Sequence, residues 1–251
     1  FTLIFCLLAY SADSSLTEII SLFIDINQQG VSVSRFNIVK AMCLDSELLG
    51  AVFSLIAQKQ QRGKDLFYKM IDNDITKVLK KLRDVQAVMD PNFKVDKMWE
   101  HLLEICLFFQ TGQHRKPIDV VKGFINKKAF TGIALDSKTI RRIKTVFAVL
   151  NSVNRKVVAV SPLFTDYTFL YSVATALAKD SVLTRKNRQD IETRLVLLAN
   201  TLEGNRRTHS TSVKSLVSQA KVHTTDVSNR LEREKMIIDL LKGAKINISK
   251  G

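Results

Sequence analysis

Apolar residues recur along this chain at three- and four-residue steps, and each such run predicts a helix. Leu16, Ile19, Ile20, Phe23 and Ile26 share one side of the first. Gly30 suits its left-handed stop because it has no Cβ to clash, and Ser34 is placed to cap a second helix with Phe36, Val39 and Met42 inside. Asp45 is the expected N-cap of ELLGAVFSLIAQ, and the polar, basic QKQQRGKD behind it reads as a loop. Ile75, Val78, Leu82, Val85 and Met89 line one face of the next helix, Lys77, Lys80, Lys81 and Arg83 its other side, and Pro91 lies just past its end.

Asp96 opens DKMWEHLLEICLFFQTG, apolar nearly all round, which predicts the central helix, with Gly112 as its stop. A basic loop follows, then a short helix with Pro117 in its first turn. In LDSKTIRRIKTVFAVLNSVNRK, Ile140, Ile143, Phe147 and Leu150 face inward while Arg141, Arg142 and Lys144 point elsewhere. SPLFTDYTFLYSVATALAKD predicts a buried helix, and Ile191, Leu195, Leu198 and Leu202 give an amphipathic one closed by Gly204. A hydroxyl-rich basic loop and two further helices finish the pattern. The opening FTLIFCLLAY is too short to span a bilayer; its aromatic and β-branched content predicts a buried strand, and a chain starting at Phe1 is expected to belong to a longer polypeptide. The fold class that results is mainly α, a helical bundle-like domain with a short N-terminal strand.

Composition sharpens this. With 46% apolar residues, 9 Gly and 3 Pro in 251 residues, the chain can bury a sizeable core and is not of the disordered class. Lys and Arg exceed Asp and Glu by 38 to 24, a net charge of +14 whose self-repulsion a polyanion would relieve. Nucleic acid is therefore the expected partner, DNA ahead of RNA, against the plainer reading of a solvated basic surface. Cys6, Cys43 and Cys106 are odd in number and far apart, which fits reduced thiols in a cytoplasmic protein better than disulfides or a zinc site. There is no C-x-x-C, no H-E-x-x-H and no Gly-rich phosphate loop.

Three basic clusters are candidate phosphate contacts. His114, Arg115 and Lys116 precede a helix N-terminus. Arg141, Arg142 and Lys144 form the polar side of their helix. Arg206, Arg207 and His209 lie among hydroxyls, with Ser210 or Ser212 able to cap the next helix. His101, beside Trp99 and Glu104, reads as a packed histidine.

The order strand, apolar helix, F-x-x-I-N-x-x-G-x-x-x-S, helix resembles the end of the GmrS-type ParB-like domain of bacterial restriction and phage-defence proteins. Phe23, Ile26, Asn27, Gly30 and Ser34 match its signature, while Asp25, Gln29 and Val33 stand where the family has Arg, Gly and Leu. The resemblance covers residues 16–42. It implies that residues 1–62 are the tail of a ParB/sulfiredoxin-like α/β domain, which accounts for the strand, and that 63–251 form a basic all-helical domain. It also implies an NTP with a divalent metal as cofactor, a partner nuclease domain, and a cleft rim formed by Asn27, Gln28, Gln29, Gly30 and Ser34. The family's D-G-Q-Q-R loop and His-Asn-His motif are absent from this sequence, so catalytic residues are unassigned; Gln60, Gln61 and Arg62 lack the Asp-Gly and follow the corner. The expected function is the nucleic-acid-contacting helical part of such a defence protein. The alternatives are a non-enzymatic helical interaction module with a solvated basic surface, or a small enzyme in which His114 or His209 meets a carboxylate.

Overall fold

In a computed structural model the structure describes residues 46–62, 65–82, 91–125, 130, 133–157, 162–179, 182–184, 187–203, 209–221 and 226–245. The strand expected over residues 1–10, the corner from Asn27 to Ser34, and Arg206 and Arg207 lie outside them. Helix α1 (Glu47–Ile56) is capped by Ser46, whose hydroxyl accepts from the Leu49 amide at 3.3 Å, in place of the Asp45 expected from sequence. It buries Leu48, Leu49, Val52, Leu55 and Ile56.

QKQQR is not a loop but strand β1 (Ala57–Arg62), paired antiparallel with β2 (Asp65–Met70) in a register from Ala57↔Met70 to Arg62↔Asp65. Its side chains carried no strand signal because only Ala57 of β1 is buried, so the strand shows no alternation of apolar and polar residues. The hairpin straddles positions 62 and 63, where the sequence reading divides the chain. Asn73 then caps α2 (Asp74–Leu79) in a reciprocal box with Thr76, and its amide ties back to the Leu55 carbonyl at 2.7 Å.

Helix α3 (Pro91–Thr111) starts a turn earlier than expected: Pro91 is its first residue, where a missing N–H costs nothing, and Asp96 lies inside it, buried. Gly112 ends it at φ 69, as its sequence position suggested. Next come α4 (Pro117–Ile125), α5 (Ser137–Val157) and a short 3₁₀ turn (Pro162–Thr165). Asp166 accepts from the Phe169 amide at 3.0 Å and so starts α6 (Tyr167–Leu177), which has no charged residue and is buried from Thr168 to Leu177. The chain continues through α7 (Arg188–Glu203), α8 (Thr211–Lys221), capped by Ser210, and α9 (Val227–Lys242), stopped by Gly243 at φ 124.

The protein is mainly helical. Two helices share its centre: α3, buried from Met98 to Phe108 except at His101 as its apolar pattern predicted, packs on α1, α4, α5 and α6, and α6 is covered by α9, α3, α5 and the 3₁₀ turn. Helix α5 lies against α2, α7, α3 and α6. One apolar cluster runs from Leu48 in α1 to Leu241 in α9.

Candidate functional site

Helix α5 separates its residue types cleanly. The Asp136 carboxylate accepts from the Thr139 amide at 2.7 Å and fixes the first turn. Ile143, Val146, Phe147, Val149, Leu150 and Val153 are buried, whereas Lys138, Arg141 and Lys144 are exposed and Arg142 is half-buried. Its sequence SKTIRRIKTVFAVLNSVNRKV contains no Asp or Glu. Beside its first turns lies a half-open hollow of about 220 Å³ lined by Lys138, Arg142, Thr145, Val146, Leu177 and Leu183.

The loop after α3 behaves differently from the basic surface expected there. The His114 side chain is 2% exposed. Its Nδ1 lies 3.2 Å from the Tyr171 hydroxyl, and its ring packs 4.6 Å from Phe108. Nε2 comes within 3.3 Å of a Glu234 carboxylate oxygen, close enough to attract but poorly aligned for a hydrogen bond. The histidine-to-carboxylate approach imagined for an enzyme is thus present, but both side chains are enclosed in the protein. Arg115 donates to Thr111 and Gln113 at 3.0 and 2.9 Å, and Lys116 reaches Asp226 at 2.6 Å. Of the cluster His114, Arg115 and Lys116, then, the first is internal and the other two are already engaged by neighbours.

His209 is also internal. It is 1% exposed, with Nε2 2.5 Å from the Thr201 carbonyl, so it joins the end of α7 to the start of α8 and does not face a phosphate. His101 packs as expected, stacked on Tyr167 with ring centroids 3.5 Å apart. Burial, reinforced by Lys97 and Arg230, lowers its pKa to about 3.

The densest polar chemistry was not singled out from the sequence. Arg230, in the stretch NRLEREK of α9, is fully enclosed and donates from Nη1 to Glu104 at 2.9 Å and to the Arg115 carbonyl at 2.8 Å. Its guanidinium lies over the Tyr171 ring at 4.1 Å, and Tyr167 donates to the other Glu104 oxygen. One turn on, Arg233 donates to Ser172 at 3.2 Å and Glu234 meets Lys179 at 3.2 Å. Burial raises the Glu104 carboxyl above the ordinary carboxylate range, against the opposing pull of Arg230 and Tyr167. Burial works likewise on Glu234, but there His114, Thr175 and Lys179 outweigh it and hold the group low. The available signal was periodic: Arg230, Arg233, Glu234, Ile237, Leu240 and Leu241 share one face of α9.

This cluster ties α9 to α3 and α6, and its charges are spent on one another. On α5, by contrast, Lys138, Arg141 and Lys144 are exposed. Among the described residues no group of three or more His, Cys, Asp or Glu could hold a metal ion, and no helix is long and apolar enough to cross a membrane. No family model, curated protein or solved structure matches the chain.

Proposed function

We propose that this protein is a nucleic-acid-associated helical component of the ParB-like restriction and defence type, which contacts DNA phosphates and works with an NTP-dependent nuclease domain. The observation that carries the reading is α5, a 21-residue helix with exposed Lys138, Arg141 and Lys144, half-buried Arg142 and no acidic residue. A helix whose polar side carries one sign of charge repels itself unless an anion lies along it. DNA supplies such an anion at regular spacing. Arg206 and Arg207 extend the candidate interface by composition, and the match of Phe23, Ile26, Asn27, Gly30 and Ser34 supports the family.

The test is binding of duplex DNA to the full chain over a salt series. If Lys138, Arg141, Arg142 and Lys144 each hold one phosphate, log Kd against log salt has a slope of about 3–4 in magnitude. The double variant R141E/R142E lowers that slope by about two and weakens binding to all sequences alike. The matched variant K59E/K69E, on the exposed hairpin, changes neither. A flat salt response, or no binding at low salt, overturns the proposal.

A further inference from the structure

Residues 112–116 join α3 to α4 and combine a surface backbone with one interior side chain. Gly112 and Gln113 are exposed and residues 114–117 half-buried, yet the His114 imidazole is 2% exposed. The ring is a plug pushed inward from a surface strap. It fits between the Phe108 ring at 4.6 Å, the Tyr171 hydroxyl at 3.2 Å and the Glu234 carboxylate at 3.3 Å.

Helix α9 fastens this strap from a single stripe. Its N-cap Asp226, Arg230 and Glu234 stand at i, i+4 and i+8. They meet Lys116, the Arg115 carbonyl and His114, which are consecutive strap residues taken in reverse. The contacts grade inward: Lys116 and Asp226 are about half exposed, whereas Arg230 and Glu234 are enclosed. Each contact depends on a side chain. Among the described residues, no backbone–backbone hydrogen bond involves residues 113–115.

The two ends of the strap differ. Gly112 leaves α3 at φ 69 with open space where a Cβ would stand, a region in which glycine turns freely. Pro117 is already the first residue of α4. A surface strap held only by side chains, with a glycine hinge at one end, can open at lower cost than the helices beneath it can unfold. We propose that residues 112–116 form a latch that opens locally, in which His114 swings out about Gly112, the α9 stripe lets go, and Tyr171, Glu234 and Arg230 become open to solvent. Closed, the latch shields the buried charge cluster; open, it presents a phenol, a carboxylate and a guanidinium in one slot. Such a latch works whether or not α5 binds DNA.

Carbethoxylation of His114 by diethylpyrocarbonate reads the opening, because the reagent needs a ring nitrogen in solvent. Reaction of the full chain is followed by mass spectrometry of the peptide that contains His114, over a urea series below the unfolding transition. Local opening exposes little surface, so the rate should change less than about twofold per molar urea, whereas global unfolding would raise it about tenfold or more. Glu234→Gln removes the charge facing the imidazole and should raise the rate by roughly fivefold, still without a steep urea dependence. Asp226→Asn, at the exposed end of the stripe, should raise it about threefold and takes the place of E234Q should that variant melt early. A rate that climbs steeply from the first addition of urea, no reaction before global unfolding, or a rate that both variants leave unchanged overturns the latch.

Discussion

A guanidinium enclosed in a helical core needs a countercharge for its net charge and a surface for its plane, and Arg230 has both in Glu104 and the Tyr171 ring. Its Nε and Nη2 find no hydrogen-bond acceptor among the described residues. The pair is therefore costly to keep and more costly to break. Glu104→Ala strands a buried cation and should destabilise the protein by about 3–5 kcal/mol, whereas the joint change E104L/R230M should recover most of that loss. Urea unfolding of E104L, R230M and the double variant E104L/R230M gives the coupling directly. Additive losses would mean that the pair is not a coupled unit. This part of the molecule was illegible in sequence for a physical reason. A buried Arg–Glu pair and a solvated one use the same letters, and in NRLEREK only the inward apolar partners Ile237 and Leu240 distinguish them.

At the scale of elements, one carboxylate sets the start of the buried helix α6. Asp166 accepts from the Phe169 amide at 3.0 Å and satisfies an amide that the first turn cannot. Asp166→Ala should cost about 1 kcal/mol, within a range of roughly 0.5–2. Thermal unfolding measures this, and Asp166→Ser, which keeps a capping oxygen, should restore most of it. A loss equal in both variants would place the effect outside the cap. Helices were readable because their inner faces repeat and their ends carry caps and stops, as Ser210, Gly112 and Pro117 show. The β1–β2 hairpin was not, because Gln58, Lys59, Gln61 and Arg62 are exposed and leave no apolar alternation to find. The apolar letters all round α3 and the uncharged run of α6 did mark the two buried helices, but they did not show that Glu104 of α3 faces inward.

For the whole molecule, the excess of +14 has two explanations with different thermodynamic consequences. If the charge is merely solvated, added sodium chloride screens self-repulsion and raises the melting temperature, with or without DNA. If the α5 face holds phosphates, DNA binds the folded state and stabilises it by linkage. The sequence gives the excess charge but not where it points. The structure turns His114 and His209 inward, engages Lys116 with Asp226, and leaves Lys138, Arg141 and Lys144 exposed. Duplex DNA at a hundred times its Kd should add about 2.7 kcal/mol, which for a chain of this size raises the melting temperature by about 5–10 °C. The same DNA in roughly 0.5 M salt should add almost nothing, since counterion release no longer drives binding. Scanning calorimetry with and without DNA at both ionic strengths separates the cases. A rise with salt alone, and none with DNA at low salt, would assign the charge to solubility and remove nucleic acid as the partner.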